Sequence, residues 1–153
     1  MAKLTWSGER YRDWDDGGKW KDAPPVTLDL DMKEADFSNK HLGVSGAIIL
    51  AAFIKRKSFQ DNGALAKLDL SKNDLRSEGL KSLSEVLNST SIAQLNLANN
   101  NLNYNAQVDS DMSGVIKFAQ DIQDNGALVS LNLANNRLGA EGAKHLATAL
   151  PYW

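Results

Sequence analysis

Between Ala35 and Leu150 the apolar residues repeatedly switch from alternation by two to spacings of three and four. Residues Leu128 to Leu150, LVSLNLANNRLGAEGAKHLATAL, show the unit most completely. Leu128, Leu131, Leu133 and Leu138 surround Asn136 as L-x-x-L-x-L-x-x-N-x-L, and Gly142, Leu146 and Leu150 follow at spacings of four. The alternating half predicts a strand with one buried face, and the second half predicts a helix with one apolar stripe.

Three further units align with this one. Their strand positions are Ala35 and Phe37, Leu68 and Leu70, and Leu95 and Leu97, followed by Leu42, Leu75 and Leu102. Their helix positions are Gly46, Leu50 and Ile54, then Gly79, Leu83 and Leu87, then Gly114, Phe118 and Ile122. The glycine at the head of each helix predicts a close approach to the strand layer, which a side chain would obstruct. Leu68 and Leu95 are 27 apart but Leu95 and Leu131 are 36 apart, which places an insertion between Leu102 and Gly114, within NYNAQVDSDM. The first unit is also extended, around KRKSF at Lys55 to Phe59. QDNGAL occurs at Gln60 to Leu65 and again at Gln123 to Leu128, where its Asn-Gly predicts a left-handed helix cap.

Ahead of the units, Lys3 to Trp6 and Val26 to Met32 read as strands that pair in a hairpin, the second alternating Val26, Leu28, Leu30 and Met32 with polar residues. The segment between them, SGERYRDWDDGGKWKDAPP, reads as a long loop punctuated by Gly17-Gly18 and Pro24-Pro25. The expected organisation is residues 1–34 as an N-terminal hairpin cap with a Trp-rich loop. Residues 35–153 then form four repeats in one continuous domain with it.

One unit cannot bury its leucines alone, and stacking strand on strand and helix on helix merges them into one core. Asn73, Asn100 and Asn136 are expected to turn inward and bond backbone groups where the chain leaves each strand. The stretches LDLSKNDLRSEGLKSLSEVL and LNLANNRLGAEGAKHLATAL resemble ribonuclease-inhibitor-type leucine-rich repeats. The resemblance runs from Ala35 to Leu150 and implies an α/β solenoid, a short horseshoe with a curved parallel sheet inside and helices outside. It departs in the first unit, ADFSNKHLGVSGAIILAAFI, where Lys40 replaces the Asn, so that turn is built differently or the unit is a cap. The resemblance implies a protein that is not an enzyme and that binds other proteins along its concave face. Relatives include receptor sensor domains and activators of small GTPases.

Composition narrows the chemistry. A chain of 153 residues is one domain's worth, and with no cysteine it has no disulfides, thiolate metal sites or thiol catalysis. A cytoplasmic or otherwise intracellular setting is expected. A net charge of −2 with interspersed signs gives no footprint for nucleic acid or an anionic membrane. The apolar run Gly46 to Ile54 is too short to span a bilayer, and MAKLTWSGER lacks the apolar core of a signal peptide. His41 and His145 fall in different units without a nucleophile motif, so no catalytic residues and no cofactor are expected. Asp13, Asp15 and Asp16 before Gly17 suggest a calcium loop, but Pro24 stands where the closing Glu belongs, so no metal is expected.

The expected concave face carries Glu34, Lys67, Gln94 and Ser130 in one row and Asp36, Asp69, Asn96 and Asn132 in the next. A third row has Ser38, Ser71, Ala98 and Ala134. Asp36 beside Asp69 is mildly repulsive, and a basic group from a partner relieves it. This face is the candidate binding surface for a protein partner; the bland alternative is a solvated sheet face without an aromatic anchor. Tyr11, Trp14 and Trp20 in the N-terminal segment, with Tyr104 in the insertion, form a second candidate surface. The alternative for the tryptophans, with Trp6, is a cap over the first repeat. The chain ends at Pro151-Tyr152-Trp153 without a polar closing repeat. Self-association through that end, or origin as a fragment of a larger leucine-rich-repeat protein, is therefore the alternative to a recognition or scaffold module.

Overall fold

The computed structural model describes residues 3–104 and 110–149. Leu150 and the closing Pro151-Tyr152-Trp153 lie outside the described residues, as does Asp109 of the insertion. Strands β1 (Lys3–Ser7) and β4 (Pro25–Asp29) pair antiparallel, with Leu4 opposite Leu28 and Trp6 opposite Val26. The intervening segment is not a plain loop: β2 (Tyr11–Asp13) and β3 (Lys19–Lys21) form a second antiparallel ribbon. Its turn is closed by local chemistry that apolar patterning does not reveal. Asp13 Oδ1 accepts the N–H groups of Asp15 and Asp16, and Gly17 and Gly18 take left-handed backbone at φ 66° and 73°.

The repeats follow as β5 (Glu34–Asp36), α1 (Gly43–Ile54), α2 (Lys57–Asn62), β6 (Lys67–Asp69), α3 (Arg76–Leu87) and β7 (Gln94–Asn96). They continue with α4 (Ser113–Asp121) and a 3-10 turn at Ile122–Asp124, then β8 (Ser130–Asn132) and α5 (Gly139–Ala147). The four strands make one parallel sheet in the order β5-β6-β7-β8, with Ala35, Leu68, Leu95 and Leu131 side by side. Each strand is short, yet parallel bonding continues beyond it: Phe37 N–H reaches Asp69 C=O, Leu70 N–H reaches Asn96 C=O, and Leu97 N–H reaches Asn132 C=O.

The aligned apolar positions form the core. Leu42, Leu50, Ile54, Leu70, Leu75 and Leu102 are sealed from solvent, and Trp6, Val26 and Leu28 of the first hairpin belong to the same cluster. In the fourth unit Leu131, Leu133, Leu138 and Leu146 are only half-buried, because no fifth unit packs on them among the described residues.

Two expectations change in detail. The helix glycines relieve contacts other than those with the strand layer. A Cβ at Gly114 would lie 2.4 Å from the Ser77 carbonyl oxygen, at the contact between α4 and α3, while Gly46 and Gly142 face the Cβ atoms of Leu42 and Leu138. The two QDNGAL copies close differently. Gly63 caps α2 with φ 55°, as expected, but after the 3-10 turn the work falls to the buried Asn125 side chain. Asn125 Oδ1 accepts the N–H groups of Ala127 and Leu128, and its Nδ2 donates to Leu87 C=O. Leu87 places a carbonyl over the second copy, whereas the first ends at the surface, where Asn62 Nδ2 donates to Leu30 C=O.

Candidate functional site

Asn73, Asn100 and Asn136 are buried at the turn that follows each strand. Each Nδ2 donates to carbonyls of its own strand end and of the preceding unit: Asn73 to Phe37, Asn100 to Leu70 and Asn136 to Leu97, at 2.8–2.9 Å. Each Oδ1 accepts N–H groups from the preceding unit's turn. Asn73 serves Lys40 and Leu42, Asn100 serves Asn73 and Leu75, and Asn136 serves Asn100. The ladder therefore has a direction, each amide completing the turn before it. The first turn is completed by Asn73, and Lys40 contributes only its backbone N–H.

The open face of the sheet forms a shallow concavity of about 360 Å³ lined by Glu34, Asp36, Lys67, Asp69, Gln94, Asn96, Ser130 and Asn132. Lys67 Nζ lies 2.7 Å from Glu34 Oε1, across adjacent strands. The second row also closes the strands. Asp36 accepts the N–H of Ser38, Asp69 that of Ser71, Asn96 that of Ala98 and Asn132 that of Ala134, at 2.8–3.1 Å. Asp36 and Asp69 are register partners, as expected, but Asp69 is also engaged by Asn96 Nδ2 at 2.8 Å. The Ser38 hydroxyl and N–H, helped by Lys40, hold the Asp36 carboxyl below the usual carboxylate range. The third row is mixed: Ser71 and Ala98 are buried, Ser38 is half-buried and Ala134 is exposed, so its middle is closed to a partner.

The aromatic residues of the N-terminal segment divide. Trp6 is in the core, edge-to-face with Phe37 at 5.5 Å, and its indole N–H has no partner. Trp14 and Trp20 remain 74% and 55% exposed; the Arg12 guanidinium lies 5.7 and 5.2 Å from their ring centroids. Tyr11 stacks on His41 with centroids 3.6 Å apart. Asp13 pairs with Lys21 at 2.6 Å, which lowers its pKa and raises that of the lysine; Asp16 takes Lys19 at 3.0 Å. Asp13 and Asp16 thus hold lysines, and no cluster of three metal-ligating side chains occurs among the described residues.

A second feature lies where the chain passes from strand to helix. Left-handed backbone recurs there in register: Asn39, Lys72, Asn99 and Asn135 in one row, and His41, Asp74, Asn101 and Arg137 in another. A third row holds Gly43, Arg76 and Gly139, at φ 61°, 59° and 59°. Outside glycine this conformation costs about 1–2 kcal/mol. Arg76 is held there by its side chain, with Nε and Nη2 at 2.9 and 2.6 Å from Asp74 Oδ2 and the guanidinium 5.2 Å from the Tyr104 ring centroid. Asp74 is the main cause of a raised Arg76 pKa. Two clefts share Asp74 and Arg76. One, of about 270 Å³, also has Arg12, Trp20, His41 and Lys72; the other, of about 360 Å³, has Asn101, Tyr104 and Arg137.

Patterning pointed to Tyr11, Trp20 and Tyr104 of this rim but not to its cations. The available signal was Arg76 standing where the first and fourth units have glycine. His41 shares the first cleft with Glu9, but Glu9 Oε1 is bonded to the Ser45 N–H and hydroxyl at 3.1 and 3.0 Å. No side-chain hydrogen bond to the His41 ring occurs among the described residues.

Two segments, residues 62–84 and 127–147, match the family model described as Leucine Rich repeat. They span the second unit into α3 and the fourth through α5. A solved structure of the tropomodulin C-terminal domain from Caenorhabditis elegans is similar at 16% identity with a TM-score of 0.41, over 81% of this chain and 85% of that one. No curated protein matches the chain. The architecture is a leucine-rich-repeat solenoid, and domains of this class generally mediate protein–protein interaction. No helix among the described residues is long and apolar enough to cross a membrane.

Proposed function

We propose that this chain is a non-enzymatic recognition or scaffold module that binds a basic segment of a partner protein on the concave face of β5–β8. One observation carries the reading. Asp36 and Asp69 close their strands by the same i to i+2 hydrogen bond that Asn96 and Asn132 supply without charge. The turn asks only for an oxygen acceptor, so the two carboxylates are an addition on the first half of the face. Beside them Glu34 offsets Lys67, which leaves the concavity negative. A cationic side chain bridging Asp36 and Asp69 removes their repulsion and gains charge-assisted hydrogen bonds. Residues 1–34 act as a cap on the repeats of 35–153, supported by Trp6, Val26 and Leu28 in the shared core. A helix of 9 to 12 residues after each strand supports the ribonuclease-inhibitor type.

The test uses an oligolysine peptide of about twelve residues, titrated into isotope-labelled protein and followed by amide chemical shifts. Shifts at Asp36, Lys67, Asp69 and Asn96, weakened about tenfold in Asp36→Asn/Asp69→Asn, are expected. That variant keeps every strand closed, because asparagine already performs this role in the third and fourth units. Shifts elsewhere, or binding unchanged in the variant, would reject the concave face.

The half-buried Leu131, Leu133 and Leu138 beside β8 support a second reading, self-association through the last unit. Light scattering discriminates: a strict monomer at high concentration counts against it.

A further inference from the structure

The strand-to-helix rim carries a spacing of charge that neither the fold nor the concave face requires. At the third left-handed position the first and fourth units use glycine, so the turn is satisfied without a side chain. The second unit places Arg76 there despite the strain, and strain of this kind collects where a side chain must be presented in one place. Asp74 engages Nε and Nη2 and the Tyr104 ring backs the guanidinium, which fixes its plane while Nη1 makes no hydrogen bond to any described residue.

The surrounding groups have the same unfilled character. Arg12 and Lys72 in one cleft, and Arg137 in the other, form no ion pair among the described residues. The acidic groups are already used: Glu9 bonds Ser45 at the start of α1, and Asp74 holds Arg76 and Asn101. The rim therefore offers donors in excess of acceptors, beside the exposed rings of Trp14 and Trp20, and Arg and Trp are the residue types that dominate binding energy at interfaces.

We infer that this rim is a second binding surface, that its occupant is an acidic segment of a partner protein, and that Arg76 is its central anchor. Separate carboxylates suit four separated cations better than a continuous phosphate chain does. Glu9 and Asp74 lie within the same clefts and repel an unbroken anion, and the whole chain carries a net charge of −2. The surface is opposite in sign to the concave face and stands independently of that reading.

The experiment titrates the whole isotope-labelled chain, at low ionic strength, with an oligoglutamate peptide of about twelve residues. Amide shifts at Lys72, Arg76, Asn101 and Arg137 are expected, with quenching of tryptophan fluorescence. Arg76→Gly, which installs the residue of the first and fourth units, is expected to keep its melting temperature and weaken binding about tenfold. The double variant Arg12→Ala/Lys72→Ala, on residues outside the core, is expected to lose a comparable amount. The inference is overturned if the rim amides do not respond at about 1 mM peptide, or if both variants bind as the parent does. Tighter binding of a single-stranded oligonucleotide than of oligoglutamate also overturns it. Oligolysine reports on the concave face separately, so either surface can fail while the other stands.

Discussion

The side-chain oxygen of Asn73 accepts the backbone N–H of Lys40 at 2.9 Å, across 33 residues of sequence. The relationship explains why the first unit tolerates a lysine where the others carry asparagine. In each pair of units the amide belongs to the later one and the groups it satisfies belong largely to the earlier one. A first unit has no predecessor to serve.

This direction gives an asymmetric mutational result. Asn100→Ala removes the acceptor of the Asn73 and Leu75 N–H groups, while the Leu70 and Leu97 carbonyls keep the amides of Asn73 and Asn136 as donors. With about 1–3 kcal/mol for each of these two buried groups left unpaired, the loss is expected to be about 2–4 kcal/mol after partial relaxation. Lys40→Asn restores the repeat consensus yet is expected to change stability by less than about 0.5 kcal/mol, as at a surface site. Urea unfolding of both variants checks the pair; a large gain from Lys40→Asn would mean that the first turn does lack an amide.

The same relationship shows what the sequence makes legible. Period and spacing marked the repeats and the buried ladder of Leu42, Leu75 and Leu102, because those positions are set by burial, and burial is written in side-chain polarity. The β2–β3 ribbon was not legible, since it rests on Asp13 bonding to its own backbone and on two left-handed glycines, with no apolar alternation to mark it. The dual role of Asp36 and Asp69 was likewise hidden. Face assignment places both on the open side, but the bond to the N–H two residues later depends on a turn that only coordinates display. Arg76 was readable only as a break in a column of glycines, and its partners Asp74 and Tyr104 come from two different units.

Trp6 tests how far the first hairpin is part of the core. Its ring is buried against Phe37, while its N–H is the one buried side-chain polar atom found without a partner among the described residues. Trp6→Ala removes the ring and is expected to cost about 3–5 kcal/mol. Trp6→Phe keeps an aromatic edge toward Phe37 and discards the unpaired donor, so its cost is expected to stay below about 1.5 kcal/mol. Thermal unfolding of the two variants gives the comparison. Equal losses would show that the indole, rather than an apolar ring, is what the site needs.

The acid limb of stability should carry a signature of Asp36. Folding lowers this carboxyl's pKa through the hydroxyl and N–H of Ser38, so the folded chain takes up the proton less readily than the unfolded chain does. Its contribution is therefore complete above the ordinary value of 3.8 and is lost as pH falls below that value through the lower folded one. Asp13, lowered mainly by its hydrogen bond to Lys21, acts with the same sign, so removing Asp36 alone flattens the limb without abolishing it. Asp36→Asn retains an oxygen acceptor for the Ser38 N–H and cannot titrate. The variant is expected to melt slightly below the parent near neutral pH and to lose less melting temperature between about pH 4 and pH 2, so that the two converge in acid. Melting curves across that range decide the matter, and parallel acid limbs would show that the Ser38 contacts do not favour the charged carboxylate in solution.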